Sequence, residues 1–339
     1  MDKAVLITGV AGFIGSRMAQ WILENKKEYA VIGIDNLSTS FPSNIPEGVK
    51  FYKIDLCKTD MSNIFEKYDV EYVFHFAAFA AIGVAPYIRK YCSYNNMVST
   101  DAVIDQCVNH KVKRLVYTSS MDVYGERRWT EGSTHFRFWE SDQPKPIDPY
   151  GVSKYACEMN IINAGEIHDM DWCILRPHNF YGVGQSLYDR YRNVIAIWLK
   201  NALNDEPMRI YGTGAQVRSF SFIDDHLEQI WNAAVLKQAS REIFNIGSNG
   251  NDVTIDELRM MVSKITGHNN YLISEKRYEA CTALEDCMKA KRVLGDFGET
   301  KLEDGIKIMW EWAQKQPKAK PHKYSDFEIT DGLPEYYEK

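Results

Sequence analysis

An α/β fold, a doubly wound parallel sheet with a smaller C-terminal α/β cap, is what the 339-residue sequence predicts on three observations. Apolar runs of strand length alternate with stretches of helical length through the first half. Those runs, AVLIT (4–8) and AVIGI (30–34) among them, lack the polar alternation of a half-exposed sheet, so both faces are covered. A glycine-rich turn, TGVAGFIG, joins the first strand to the first helix.

In chain order, strand 4–8 leads into a helix over 13–26. Strands at 30–34, 50–54 (KFYKI), 72–76 (YVFHF), 114–119 (RLVYTS) and 172–176 (WCILR) follow, with helices over 90–110 and 150–168 between them. After Arg176 the rhythm changes. A helix near 189–204, a short MRIYG strand, a helix from 225 and an FNIG strand near 244 precede helices around 254–266 and 301–314. The expectation is a Rossmann-type dinucleotide-binding domain over 1–176, to which 220–248 returns, and a cap from 177–219 and 249–315. Residues 316–339, rich in proline and charge, read as a peripheral tail.

Composition narrows the function. A net charge of −6 argues against nucleic acid or an anionic membrane surface as partner. No apolar run approaches the ~20 residues of a membrane span, and MDKAVLITG opens directly on a core strand, with no signal peptide. The seven cysteines, at 57, 92, 107, 157, 173, 281 and 287, form no CxxC pair. Scattered thiols point to a reducing cytoplasm, without a disulfide frame or a metal site.

Gly9, Gly12 and Gly15 stand after the first strand and open the first helix. Glycine there permits a tight turn, close approach of a pyrophosphate to bare backbone, and close helix–sheet packing. The helix N-terminus adds free N–H groups and partial positive charge. Strand two ends in Asp35, twenty residues after Gly15, where a carboxylate accepts hydrogen bonds from an adenosine ribose. Asp35 would repel a 2′-phosphate, and Asn36-Leu37 supplies no arginine to attract one, so the cofactor is NAD rather than NADP.

DPYGVSKYACE (148–158) places Tyr150 and Lys154 four residues apart on a helix. One reading is a surface helix with a lysine over an aromatic ring. The other is an ammonium that holds a phenol near ionisation, so that Tyr150 accepts a proton. Side chains at i and i+4 meet on any helix, and the spacing alone leaves both open.

GxxGxxG, HFAA (75–78), TSSMDVYG (118–125) and YGVSK (150–154), in that order, resemble the extended short-chain dehydrogenase/reductase family over about residues 4–295. Within it, the chain is similar to the nucleotide-sugar epimerases and dehydratases, most closely to the UDP-glucose 4-epimerase-like group. The resemblance implies a catalytic Ser120, Tyr150 and Lys154, the lysine also binding the nicotinamide ribose. It implies NAD contacts from Phe13, Ile14, Asn36, Asp55, Leu56, Phe76, Ala77, Ala78 and Asn96 beside the glycines and Asp35. For a UDP-sugar substrate it implies Asn179, Asn193, Arg218 and Arg277 near the diphosphate and Tyr211 against the uracil. The ribose contact shifts to Glu279, because Ala280 stands where the family carries an acid.

Resembling dehydratases eliminate water with a consecutive Asp and Glu; here those positions hold Met121 and Asp122. A thioether cannot protonate a leaving group, which leaves 4-epimerisation, the shared oxidation followed by hydride return to the other face. Asp122 reads equally well as a structural acceptor. Two departures bear on specificity: Ala80 replaces a lysine that follows HFA in many 4-epimerases, and the position limiting room for an N-acetyl group falls on Ala283 or Leu284. UDP-N-acetylhexosamine and uronate 4-epimerases, a C2 epimerase or a decarboxylase remain open, as does a non-catalytic NAD sensor, against which the intact Ser120, Tyr150 and Lys154 argue. The aromatic, basic loop 126–146 reads as a substrate-sorting or a packing element. The resemblance also implies a homodimer through helices 90–110 and 150–168, with Met97, Ala102, Val103 and Cys107 as an apolar face.

Overall fold

The alternating runs fold as β1 (Lys3–Thr8), α1 (Phe13–Asn25), β2 (Ala30–Asp35), β3 (Lys50–Lys53), α2 (Ser62–Lys67), β4 (Asp69–His75), α3 (Arg89–Ser93), α4 (Ser99–Asn109), β5 (Arg114–Thr118), α5 (Pro149–His168) and β6 (Trp172–Pro177). There follow β7 (Asn179–Tyr181), α6 (Val194–Asn204), β8 (Met208–Tyr211), β9 (Val217–Phe222), α7 (Leu227–Val235), β10 (Glu242–Ile246), β11 (Asp252–Thr254), α8 (Ile255–Thr266), β12 (Tyr271–Ser274), β13 (Thr282–Ala283), α9 (Met288–Leu294) and α10 (Leu302–Ala313). This computed structural model describes residues 2–126, 137–189, 193–276, 280, 282–317 and 327–334.

Seven parallel strands, in the order β10-β6-β5-β4-β1-β2-β3, form the main sheet. Its continuous apolar strands are buried because helices cover both faces. Ile22 and Met18 of α1 lie on one side with Ile230 and Trp231 of α7, and Val103 and Ile161 of α4 and α5 lie on the other. Chain order reverses between β1 and β4, and the crevice beyond their carboxyl ends is where such sheets bind ligands. A four-stranded sheet (β11-β9-β13, with β7 on β9) and the β8–β12 pair make a second layer. Its core joins Trp198 of α6, Phe220 of β9, Leu258 of α8 and Ile306 of α10. Although α9 was expected with the cap, Ala290 and Leu294 bury in the main-sheet core.

The stretch expected as one helix over 90–110 is broken by a π turn, Tyr94–Val98, between α3 and α4. The turn carries Asn96 inward, where its Oδ1 accepts from Phe79 N at 2.7 Å and its Nδ2 donates to Ser153 Oγ at 2.9 Å. On the expected dimer face, Val103 and Cys107 are instead fully buried core residues, and Ala102 packs against that core. The apolar groups that α3–α5 leave exposed are Tyr94, Met97, Val152, Met159 and Ile167.

The C-terminal tail is not peripheral where it is described. Phe327 and Leu333 pack on the apolar cluster that contains Tyr150, and Glu328 N donates to Tyr87 O at 2.9 Å. Among the described residues no helix is long and apolar enough to cross a membrane.

Candidate active site

One cavity of about 1780 Å³ runs from the glycine turn past Tyr150 to the second layer. At its first end, Gly9 sits at φ +70°, and a Cβ there would meet Ala77 N at 2.7 Å. A Cβ on Gly15 would overlap the Gly9 carbonyl, so both positions exclude any larger residue. Gly12, Phe13 and Ile14 line the same wall with Asp55, Leu56, Phe76, Ala77 and Ala78. Asp35 closes it: Oδ2 accepts from Ala11 N at 3.0 Å and Oδ1 from Leu37 N at 2.8 Å. The carboxylate thus orients the turn and still faces the cavity beside Asn36. Bare backbone at a helix N-terminus next to a buried acid fits a dinucleotide with free ribose hydroxyls.

His75 supports this wall from behind. Thr8 Oγ1 accepts from Ala77 N at 3.2 Å, so its own proton goes to His75 Nδ1, 2.6 Å away. Thr100 Oγ1 donates to Asn96 O at 2.7 Å and therefore accepts from His75 Nε2 at 3.1 Å. Burial pushes the imidazole down to about 3, which holds it neutral. Asn96, expected to touch the cofactor, does not line the cavity; it ties Phe79 and Ser153 together beneath it. The HFAA motif gave a signal for the strand end but none for this inward turn.

Ser120, Tyr150 and Lys154 line the middle of the cavity. Asp148 caps α5, its Oδ1 accepting from Tyr150 N at 2.8 Å and Gly151 N at 3.0 Å, and Pro149 follows at the first helical position. This capping acid was readable in DPYG. Lys154 Nζ donates to Thr118 O at 2.6 Å and lies 5.9 Å from the Tyr150 ring centroid. Burial lowers its ammonium to about 8. Tyr150 moves the opposite way from the expected activation: burial first, then the charges of Asp122 and Asp148, raise its phenol, against a lowering influence of the neighbouring Ser120 hydroxyl. In the protein alone the lysine does not outweigh these effects. Ser120 Oγ donates to Asp122 Oδ2 at 3.0 Å, and burial beside Asp148 lifts Asp122 to about 7.

At the far end, Asn179, Asn193, Tyr211 and Arg218 line the cavity. Asn179 Nδ2 donates to Ser219 O at 2.9 Å, and the two Arg218 amino groups donate to Val217 O and Ala280 O at 2.9 and 2.7 Å. Asn193 caps α6, with Oδ1 accepting from Ile195 N at 2.9 Å and Nδ2 donating to Phe180 O at 3.0 Å. One end of that amide is engaged by α6 and the other by β7, which weakens the expected role in substrate contact. Arg277 and Glu279 lie outside the described residues. Of the two alignments for the acyl-limiting position, Ala283 lines the cavity and Leu284 does not; Ala80 lines it as well.

Beneath the site runs a buried polar chain with no periodicity to betray it. Glu158 accepts from the Ser119 hydroxyl and from Arg176 Nε and Nη2 at 2.9 and 2.6 Å. Arg176 Nη1 donates to Tyr124 OH (2.8 Å), which donates to Asn245 Oδ1 (2.7 Å). Loop 126–146 joins it where described: Phe138 stacks on Tyr124 and its carbonyl accepts from Asn245 Nδ2. Residues 127–136 lie outside the described residues. Farther in, His178, Glu285 and Cys287 bring donor atoms within 4.8 Å of one another, a set that could hold a metal ion. Burial lowers His178 to about 3 and raises Glu285 and Cys287, the condition of a neutral buried cluster.

Residues 5–247 match the model of the NAD dependent epimerase/dehydratase family. The UDP-glucuronate 4-epimerase of Thermodesulfobacterium geofontis is 28% identical over 91% of this chain and 96% of its own. The UDP-glucose 4-epimerase of Thermotoga maritima, solved with UDP-glucose, is 30% identical and superposes with a TM-score of 0.85 over 92% of this chain and 99% of its own. UDP-glucuronic acid 4-epimerase from Bacillus cereus, solved with UDP-glucuronic acid and NAD, is 27% identical, with a TM-score of 0.82 over 92% of this chain and 99% of its own. The cofactor is NAD, and the chain belongs to the NAD-dependent epimerase/dehydratase family.

Proposed function

We propose that this protein is a nucleotide-sugar 4-epimerase that interconverts UDP-glucose and UDP-galactose. The observation that carries the reading is the single cavity joining the glycine turn, the Ser120–Tyr150–Lys154 group and Arg218, with Met121 where an eliminating enzyme needs an acid. NAD, when bound, supplies the hydride acceptor and donor for C4. Gly9, Gly12, Gly15 and Asp35 hold it, with Lys154 near the nicotinamide ribose. Tyr150 takes the O4 proton and returns it. Ser120, whose hydroxyl now donates to Asp122, turns to O4 and orients it. Arg218 and Asn179 hold the diphosphate, Arg277 is proposed as a second phosphate arginine, and Tyr211 stacks on the base. With the diphosphate held, the 4-ketosugar turns and presents its opposite face.

A second reading, UDP-N-acetylhexosamine 4-epimerisation, is favoured by the small Ala283 on the cavity wall. Incubating purified protein with UDP-, GDP- and CDP-sugars and separating the products chromatographically tests both. A 4-epimer of UDP-glucose is expected. Exclusive conversion of UDP-N-acetylglucosamine supports the second reading. A uronate epimer, a C2 epimer, a pentose product or no turnover overturns both.

A further inference from the structure

The chain end bonds to residues some 240 positions earlier, beside the candidate site. Glu328 caps the start of α3, its Oε2 accepting from Lys90 N and its Oε1 from Tyr91 N, both at 2.7 Å. Backbone bonds run alongside: Glu328 N and Ile329 N donate to Tyr87 O at 2.9 and 3.1 Å. Tyr87 OH closes the loop by donating to Gly332 O at 2.8 Å. Between these polar anchors, Phe327 and Leu333 cover an apolar cluster of Phe79, Val84, Ile88, Cys92 and Tyr150. Gly332, Leu333 and Pro334 then reach the cavity itself and line it beside Ile82, Pro86 and Tyr87.

This contact has a chemical consequence if the 4-epimerase reading holds, on which the inference rests. A sugar that reacts at Tyr150 is bounded by whatever walls the cavity around Tyr150. The 4-ketosugar must turn over there while only its diphosphate is held, and any opening on that side is a route of escape. A carboxylate that satisfies two helix N–H groups fixes the underlying segment more firmly than neutral contacts would. The segment so fixed, 79–91, runs from the HFAA strand end, beside the cofactor wall, to α3.

We propose that residues 327–334 form part of the active-site wall, with Glu328 and Leu333 as positioning residues that close the sugar end of the cavity over Tyr150 and retain the 4-ketosugar during its turn.

The test compares full-length protein with Glu328→Ala, Leu333→Ala and a chain ending at residue 326. NAD content and the affinity for UDP stay as in the full-length protein, since neither the glycine turn nor Arg218 is altered. KM for the UDP-sugar rises about tenfold, and free 4-ketosugar is captured by a carbonyl reagent in the medium. Amide hydrogen exchange at Lys90 and Tyr91 speeds up in Glu328→Ala. If the shortened chain does not fold, the two point variants decide. Unchanged KM and no released ketosugar in folded variants of an active enzyme overturn the proposal. Full-length protein that epimerises no nucleotide sugar overturns the reading beneath it. In that case the wall is judged by affinity alone: equal losses for UDP and UDP-sugar, or none, reject it.

Discussion

Lys154 directs its ammonium at the carbonyl of Thr118, 2.6 Å away, and stands 5.9 Å from the centroid of the Tyr150 ring. The lysine is therefore anchored beside the tyrosine rather than bonded to it, while burial and the charges of Asp122 and Asp148 hold the phenol protonated. The positive charge that tips the balance has to arrive with the oxidised nicotinamide.

The first prediction follows. In ultraviolet difference titration, NAD+ binding lowers the pKa of Tyr150, and the change is absent from Tyr150→Phe. That variant loses ~10²–10⁴ in turnover through the missing proton acceptor, with UDP affinity kept. A tyrosine that titrates identically with and without NAD+ contradicts the account.

Asp122 gives the second. Its carboxyl, lifted to about 7, ionises across the neutral range, and each ionisation adds a negative charge that raises Tyr150 further. Asp122→Asn removes that charge. The limb of the kcat/KM profile that reports phenol ionisation moves to lower pH; movement to higher pH, or none, shows that the carboxylate does not face the phenol electrostatically.

Asp35 both faces the cavity and accepts from Ala11 N and Leu37 N. Asp35→Ala weakens NAD binding by about 1.5–3 kcal/mol through lost charge-assisted bonds, and calorimetry detects a lower Tm in the cofactor-free protein as the turn loosens. Full NAD occupancy after dilution in the variant counts against a ribose contact.

The buried Glu158–Arg176 pair predicts a stability effect. Removing one partner leaves the other charge uncompensated, so Glu158→Ala costs about 3–5 kcal/mol in denaturant unfolding. A loss below about 1 kcal/mol, the range of exposed pairs, shows that the pair is relaxed or hydrated.

The strands were legible because a parallel sheet covered on both faces leaves continuous apolar runs, and the glycine turn because its backbone tolerates no Cβ. That Tyr150, Lys154 and Ser120 share one cavity was legible because their motifs sit at strand ends and helix starts, where the cavity is built. The inward position of Asn96 was not legible, because a π turn shifts the helical phase there. Val103 and Cys107 were misread because apolar residues on a helix do not say which neighbour they meet. The exposed Met97, Val152 and Met159 leave an apolar surface for the proposed homodimer, which Met159→Glu is expected to split into a 39.1 kDa species on sedimentation. The tail was misread because charge and proline describe its composition, whereas Glu328 and Leu333 act through partners far away in sequence.

The most direct test of 4-epimerisation follows hydrogen. If C4 is oxidised and reduced in the cavity that joins the glycine turn to Tyr150, as proposed, the hydrogen that leaves C4 stays on the cofactor and returns to C4 without meeting solvent. UDP-glucose incubated with the enzyme in deuterium oxide is expected to give UDP-galactose with no carbon-bound deuterium by NMR and mass spectrometry. Deuterium in the ring or at C6, the mark of enolising chemistry, would contradict it.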